Sequence, residues 1–200
     1  MQKEKYTVTQ YSVAAILGFI EAGDIAIPEI QRPFVWKRSQ VRDLIDSLYN
    51  GYPTGYLIIW QNPNVRLKDG SSSNGKKILI DGQQRVTALM AAISGREIID
   101  DDYQTARIKI AFNPIAEDDE ERFAVQDSSH IKSRKWIADI SELFKNEFDI
   151  FSFVQDYCAT NEEITTKELS TIVTRLKSIA NRQIGVIELA HSLEIDEVTE

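Results

Sequence analysis

Five stretches of the chain carry apolar residues at the spacing i, i+3, i+4, i+7, which puts them on one face of a helix. The first is Val13, Ile16, Leu17 and Ile20, with Ser12 placed to cap its start and Gly23 to stop it. The second, Val41, Leu44, Ile45 and Leu48, is expected to open at Ser39 and close at Gly51. Val86, Leu89, Met90 and Ile93 form the third, ending at Gly95. A fourth has Ile150, Phe153, Val154 and Tyr157 behind Asp149. The fifth has Leu169, Ile172, Val173 and Leu176 behind a Thr165-to-Glu168 capping box.

Shorter apolar runs bounded by turn residues predict strands at Tyr56–Trp60 and Lys77–Ile80. The stretch between them, rich in Gly, Ser and Asn, reads as an exposed loop. Arg107–Phe112 alternates polar and apolar residues, as a strand with one wet face does, and Ile184–Leu189 reads as a last strand. Together these elements predict a mixed α/β fold. The acidic run Glu117–Glu121 reads as a solvated turn, since packed like charges repel. It is expected to separate an α/β core over residues 1–115 from a mainly helical extension over 116–200 that ends in a strand. The last residues, IDEVTE, read as the opening of a further helix, so the chain is expected to be truncated.

Two hundred residues suit one medium domain or one domain with an extension, and 42% hydrophobic with 27% charged residues excludes wholesale disorder. No apolar run reaches the ~20 residues of a membrane helix, and the first residues lack a signal-peptide core. Cys158 has no second cysteine to pair with, which fits a reducing cytoplasm. With His130 and His191 as the only histidines, a zinc site of nitrogen and sulfur ligands is excluded. Charge is unevenly spread: residues 1–100 carry 12 Lys/Arg against 10 Asp/Glu, and residues 101–200 carry 11 against 21. The acidic half would repel a phosphate backbone, so any polyanion contact belongs to the first half.

Two segments carry candidate chemistry. The run KKILIDGQQRVTAL reads as a strand, an Asp-Gly turn and a helix. One reading is structural, with Asp81 as N-cap, Gly82 allowing the turn, and Gln84 at the third helical position closing a capping box. The other gives Arg85 a ligand. A helical side chain tilts toward the N-terminus, where free N–H groups and the dipole suit an anion and a guanidinium adds a bidentate fork. Asp81 would hold Mg²⁺ or orient a water in the same space.

The second segment is IPEIQRPFVWKRSQVR, in which Pro28 and Pro33 stiffen an extended stretch. Arg32, Lys37, Arg38 and Arg42 form a basic group, with Phe34 and Trp36 between them. Either the aromatics stack on a base while the basic residues meet phosphate, or the aromatics pack under a loop and the charges are solvated.

Gln31-Arg32-Pro33-Phe34-Val35-Trp36 followed by Asp81-Gly82-Gln83-Gln84-Arg85 resembles the N-terminal domain of the GmrSD family, long catalogued as a domain of unknown function. That family covers type IV, modification-dependent restriction proteins, and its N-terminal domain is similar in fold to ParB-like nuclease and sulfiredoxin domains. The resemblance implies a small mixed sheet with flanking helices and a nucleotide-handling module in bacterial defence against foreign DNA. Carried over by position, it assigns Asp81, Gln83, Gln84 and Arg85 to nucleotide hydrolysis, and Gln31, Arg32 and Gly82 to nucleotide binding. Trp36 takes a packing role. The implied cofactor is a nucleoside triphosphate with Mg²⁺, the metal held by Asp81. The implied partners are that nucleotide, DNA through the intact protein, and a C-terminal nuclease domain or partner. This chain shows no P-D…(D/E)-x-K constellation or histidine cluster, and so is not a nuclease by itself. The alternative is a non-catalytic, ParB-like module that contacts DNA through Lys37, Arg38 and Arg42.

Overall fold

The computed structural model describes residues 4–27, 33–61, 76–117 and 120–193. Its strands are β1 (Tyr6–Ser12), β2 (Ile25–Ala26), β3 (Tyr56–Gln61), β4 (Lys77–Asp81), β5 (Ile98–Ile99), β6 (Thr105–Ala106), β7 (Ile110–Phe112), β8 (Phe123–Val125) and β9 (Gln183–Leu189). The α-helices are α1 (Val13–Glu21), α2 (Arg38–Asn50), α3 (Gln83–Ala92), α4 (Ser128–Lys132), α5 (Ile150–Thr160) and α6 (Thr166–Lys177).

One sheet organises the molecule, with strand order β1-β9-β3-β4-β2. β1 is antiparallel to β9, β9 parallel to β3, β3 antiparallel to β4, and β4 parallel to β2, so the sheet is mixed. The two-stranded pairs β5–β6 and β7–β8 stand beside it. Period-two alternation sends Leu57 and Ile59 of β3, Leu79 of β4, and Ile184 and Val186 of β9 to one face. They join α1 (Val13, Ile16), α2 (Val41, Ile45, Leu48), α3 (Val86, Leu89) and α6 (Leu169, Val173, Leu176) in one buried cluster. Because β9 lies between β1 and β3, residues from before and after the acidic run share this sheet.

The expected helical stripes lie on helices, except that Ile93, the last residue of the third, falls at the C-cap of α3. Ser12 caps α1 by accepting the Ala15 N–H at 3.1 Å, and Thr165 with Glu168 closes the box before α6. The second helix opens earlier than expected, at Arg38 rather than after Ser39, because the side chain of Gln40 accepts the Lys37 N–H at 2.8 Å. Of the predicted strand Arg107–Phe112, only Ile110–Phe112 is strand. Arg107 instead directs its guanidinium to the carbonyls of Ala91 and Ile108 and to the side chains of Asp139 and Ser141. The loop between β3 and β4 falls largely, and the terminal IDEVTE wholly, outside the described residues.

Three helix starts rest on ionised carboxylates. The Ser129 hydroxyl and the N–H groups of His130 and Ser129 pull the Asp127 carboxyl down to about 2. Ser152 lowers Asp149, and Thr165 lowers Glu168. A depressed folded pKa stabilises the fold above the unfolded value, and that contribution disappears as pH falls through the folded value. The start of α4 is therefore expected to loosen as pH drops from about 4 to about 2, and those of α5 and α6 as pH falls below the ordinary carboxylate range. Faster amide exchange at Ser129, Phe151 and Glu168 over that window would show it. Exchange that stays flat there would contradict the assignment of these caps.

Candidate functional site

The signature sits where β4 turns into α3. Gly82, at φ +91°, is the N-cap of α3, and its carbonyl accepts the first intrahelical bond, from the Val86 N–H. This corrects the expected cap. Asp81 is the last residue of β4, one position too early, and Gln84 is the second helical residue rather than the third. With glycine as the N-cap, no side chain caps α3. The first-turn N–H groups therefore face solvent or a ligand, at the positive end of the dipole.

The four signature side chains do different things. Gln83 folds back, its amide donating to the Leu79 carbonyl at 2.8 Å and the Ile80 carbonyl at 3.3 Å, so it staples α3 to β4. Gln84 spans to the other motif, with its Oε1 accepting the Val35 N–H at 2.9 Å and its Nε2 donating to the Pro33 carbonyl at 3.2 Å. Arg85 donates from Nη1 to the Tyr56 carbonyl at 2.8 Å. It makes no ion pair among the described residues. The Asp81 carboxylate is exposed and has no hydrogen-bond or ion-pair partner there.

Two glycines make room for that guanidinium. A Cβ built on Gly82 would lie 3.2 Å from Arg85 Nη1 and 2.3 Å from Leu57 Cδ2. One built on Gly55, itself at φ +85°, would lie 3.0 Å from Arg85 Nη2. The Gly55–Tyr56 turn is thus part of the site. Sequence reasoning passed over it, although the run GYPTGY was a usable turn signal.

The upstream segment is tied to the same place. Phe34 is buried and donates its N–H to the Ile99 carbonyl at 3.0 Å, bridging β5, and Trp36 packs against the main core. Both aromatics therefore have the packing roles considered for them. Gln31 and Arg32 lie outside the described residues, but Gln84 holds the Pro33 and Val35 main chain immediately after them. Of the basic group, Arg42 is held by Asp43 (2.7 Å) and by Glu121, which leaves it little capacity for a further anion.

A sizeable cleft bounded by described residues is elsewhere. It encloses about 800 Å³ between α2, β8 and α6, with Asp43, Asp46, Glu117 and Glu120 on its walls. Arg175 covers the Tyr49 ring there at 4.2 Å. None of the signature residues lines it. No group of three or more His, Cys, Asp or Glu among the described residues is arranged to hold a metal ion. A cation at the signature would thus rest on Asp81 and on oxygens of a bound phosphate, the arrangement Mg²⁺ favours. Elsewhere, Cys158 is half-buried with its thiol pushed up by burial, and His130 accepts the Asp127 N–H while standing edge-on to Trp136.

A mixed sheet flanked by helices, with a strand–glycine–helix turn and a second motif strapped to it by one glutamine, defines a mixed α/β domain. More specifically, the chain belongs to the family of GmrSD restriction endonuclease N-terminal domains, whose model matches residues 13–200. It is also 31% identical, over 36% of its own length, to the uncharacterized protein MJ0686 of Methanocaldococcus jannaschii. The match spans 15% of that curated relative. No helix among the described residues is long and apolar enough to cross a membrane.

Proposed function

We propose that this domain binds a nucleoside triphosphate with Mg²⁺ and hydrolyses it, and thereby controls a nuclease carried elsewhere in a modification-dependent restriction protein. The observation that carries this reading is the Arg85 guanidinium, free of carboxylate partners among the described residues. It is held above Gly55 and Gly82 by a single bond to the Tyr56 carbonyl, beside an uncapped helix start. Unpaired donors gathered at a dipole's positive end favour a phosphate, and neutralising phosphate charge is the main task in phosphoryl transfer.

In this reading Arg85 and the first-turn amides take the phosphate charge, and Asp81 takes the metal or the attacking water. Gln83 and Gln84, whose amides are occupied by main-chain groups, act by fixing the turn and the upstream segment. The alternative of DNA contact through Lys37, Arg38 and Arg42 is weakened by the ion pairs of Arg42.

The test is calorimetric titration of the four nucleoside triphosphates, with and without Mg²⁺, into the wild-type chain and the Arg85→Ala and Asp81→Asn variants. Loss of a charge-assisted phosphate fork is expected to weaken binding about 10- to 100-fold in Arg85→Ala. Asp81→Asn should remove the Mg²⁺ dependence. Equal binding by all three proteins, or none by the wild type, would overturn the proposal.

A further inference from the structure

The β1 edge of the sheet is laid out for main-chain pairing. β1 meets β9 in a register that puts Lys5 opposite Ala190 and Val13 opposite Arg182, and both pairs are hydrogen-bonded: Ala190 N–H to the Lys5 carbonyl at 2.9 Å, Val13 N–H to the Arg182 carbonyl at 3.0 Å. In an antiparallel ladder the bonding residues alternate. The odd-numbered residues Thr7, Thr9 and Tyr11 therefore spend their main-chain groups on β9. Tyr6, Val8 and Gln10 turn theirs to the opposite side, where no strand of the described residues stands.

This edge lacks the usual protections. Natural edges are shortened, bulged, broken by proline or armed with charge. The other edge, β2, is two residues long, whereas β1 runs seven residues, YTVTQYS, in unbroken register with no charge and no proline. The side chains on its outward parity are exposed and apolar at two positions, Tyr6 at 57% and Val8 at 60%. They continue a row across the sheet face opposite the core, since Val8 faces Ile187, which faces Ile58.

We infer that β1 is an association edge for a second copy of this chain, pairing antiparallel with the β1 of its partner about a two-fold axis at Val8. A two-fold interface must be self-complementary, and this strand meets that condition. With Val8 opposite Val8, Tyr6 faces Gln10 and each of these pairs exchanges two main-chain bonds. Thr7 falls opposite Thr9, Lys5 opposite Tyr11 and Glu4 opposite Ser12, so no like charges oppose one another. The most exposed valine of the edge is covered by its own copy, and the apolar rows of the two sheets become one.

The test combines mass and cross-linking measurements on the 200-residue chain. Sedimentation equilibrium is expected to give twice the 22.8 kDa chain mass at high concentration. Val8→Pro removes a donor that faces away from β9, so it should leave the ladder and the circular dichroism intact and return the mass to a single chain. Opposed Cα atoms in such a pair lie about 5.5 Å apart, within disulfide reach. Val8→Cys should therefore cross-link on mild oxidation, whereas Gln10→Cys, which faces Tyr6 of the other copy, should not. A single-chain mass at every concentration up to about 1 mM, or a dimer that survives Val8→Pro, would overturn the inference. So would equal cross-linking of the two cysteine variants, which also decides the matter if Val8→Pro fails to fold.

Discussion

Arg107→Met is expected to lower the unfolding free energy by about 3–5 kcal/mol, the range for stripping one partner from a buried ion pair. The Arg107 guanidinium donates to the carbonyls of Ala91 (2.8 Å) and Ile108 (3.0 Å), to Asp139 Oδ2 (3.2 Å) and to Ser141 Oγ (2.9 Å). It therefore joins the last turn of α3, the start of the 107–112 segment and the turn that Asp139 caps. Asp139 is 8% exposed at its side chain, and Lys109 stands 4.0 Å off, so methionine would leave a buried carboxylate with one distant counter-charge. Two main-chain carbonyls would also lose their donor. Arg107→Lys keeps the charge but not the fork, and should cost less. Adding Asp139→Asn to Arg107→Met should recover part of the loss, because the buried charge goes with its partner. Urea unfolding measures all three. A change within about 0.5 kcal/mol for Arg107→Met, the range of ordinary surface substitutions, would show that the network contributes nothing.

The second large effect is at the signature glycine. Gly82→Ala forces an L side chain into φ +91° and sets its Cβ 2.3 Å from Leu57 Cδ2. The left-handed conformation costs about 1–2 kcal/mol and overpacking about 1–3, so a loss of about 2–5 kcal/mol is expected. Leu57 is 2% exposed in the main cluster and has little space to retreat. Gly55→Ala is the informative comparison, because its Cβ would meet only the movable head group of Arg85, at 3.0 Å. It should cost little beyond the backbone strain, yet displace the guanidinium. If nucleotide binding is measured beside stability, Gly55→Ala should lose more affinity than its stability loss accounts for. An alanine at 82 that leaves the urea midpoint unchanged would mean the turn adapts, and that the glycine is not required by space.

How much of this was legible beforehand depended on distance along the chain. Five helices were readable because each carries its own stripe and its own stop or cap within a few residues, as Ser12 and Thr165 show, whereas the short α4 buries no side chain and left no stripe to read. The signature turn was half-readable. Strand, glycine and helix follow from KKILIDGQQRVTAL, but which residue caps depends on the sign of φ at Gly82, and the packing against Leu57 decides that. Bonds from Gln84 to Val35 and Pro33 span 49 and 51 positions, and that from Arg85 to Tyr56 spans 29, so they leave no local trace. β1 escaped notice because tyrosine falls on both parities (Tyr6, Tyr11) and polar residues on both, which blurs its alternation. The Arg107–Lys109 half of a predicted strand failed because its arginine was claimed by a buried carboxylate 32 residues away.

The position of β9 has a consequence for how the molecule comes into being. As the chain leaves the ribosome, β3 and β4 are free to pair once Asp81 has been made, whereas β1 needs a neighbour made about 180 positions later. Until Gln183–Leu189 emerges, the first strand stays unzipped and the hairpin lacks its flank, so the sheet closes only when almost the whole stretch has been synthesised. Such late closure is the slow route to a native topology. It makes β9 the keystone of the nascent sheet.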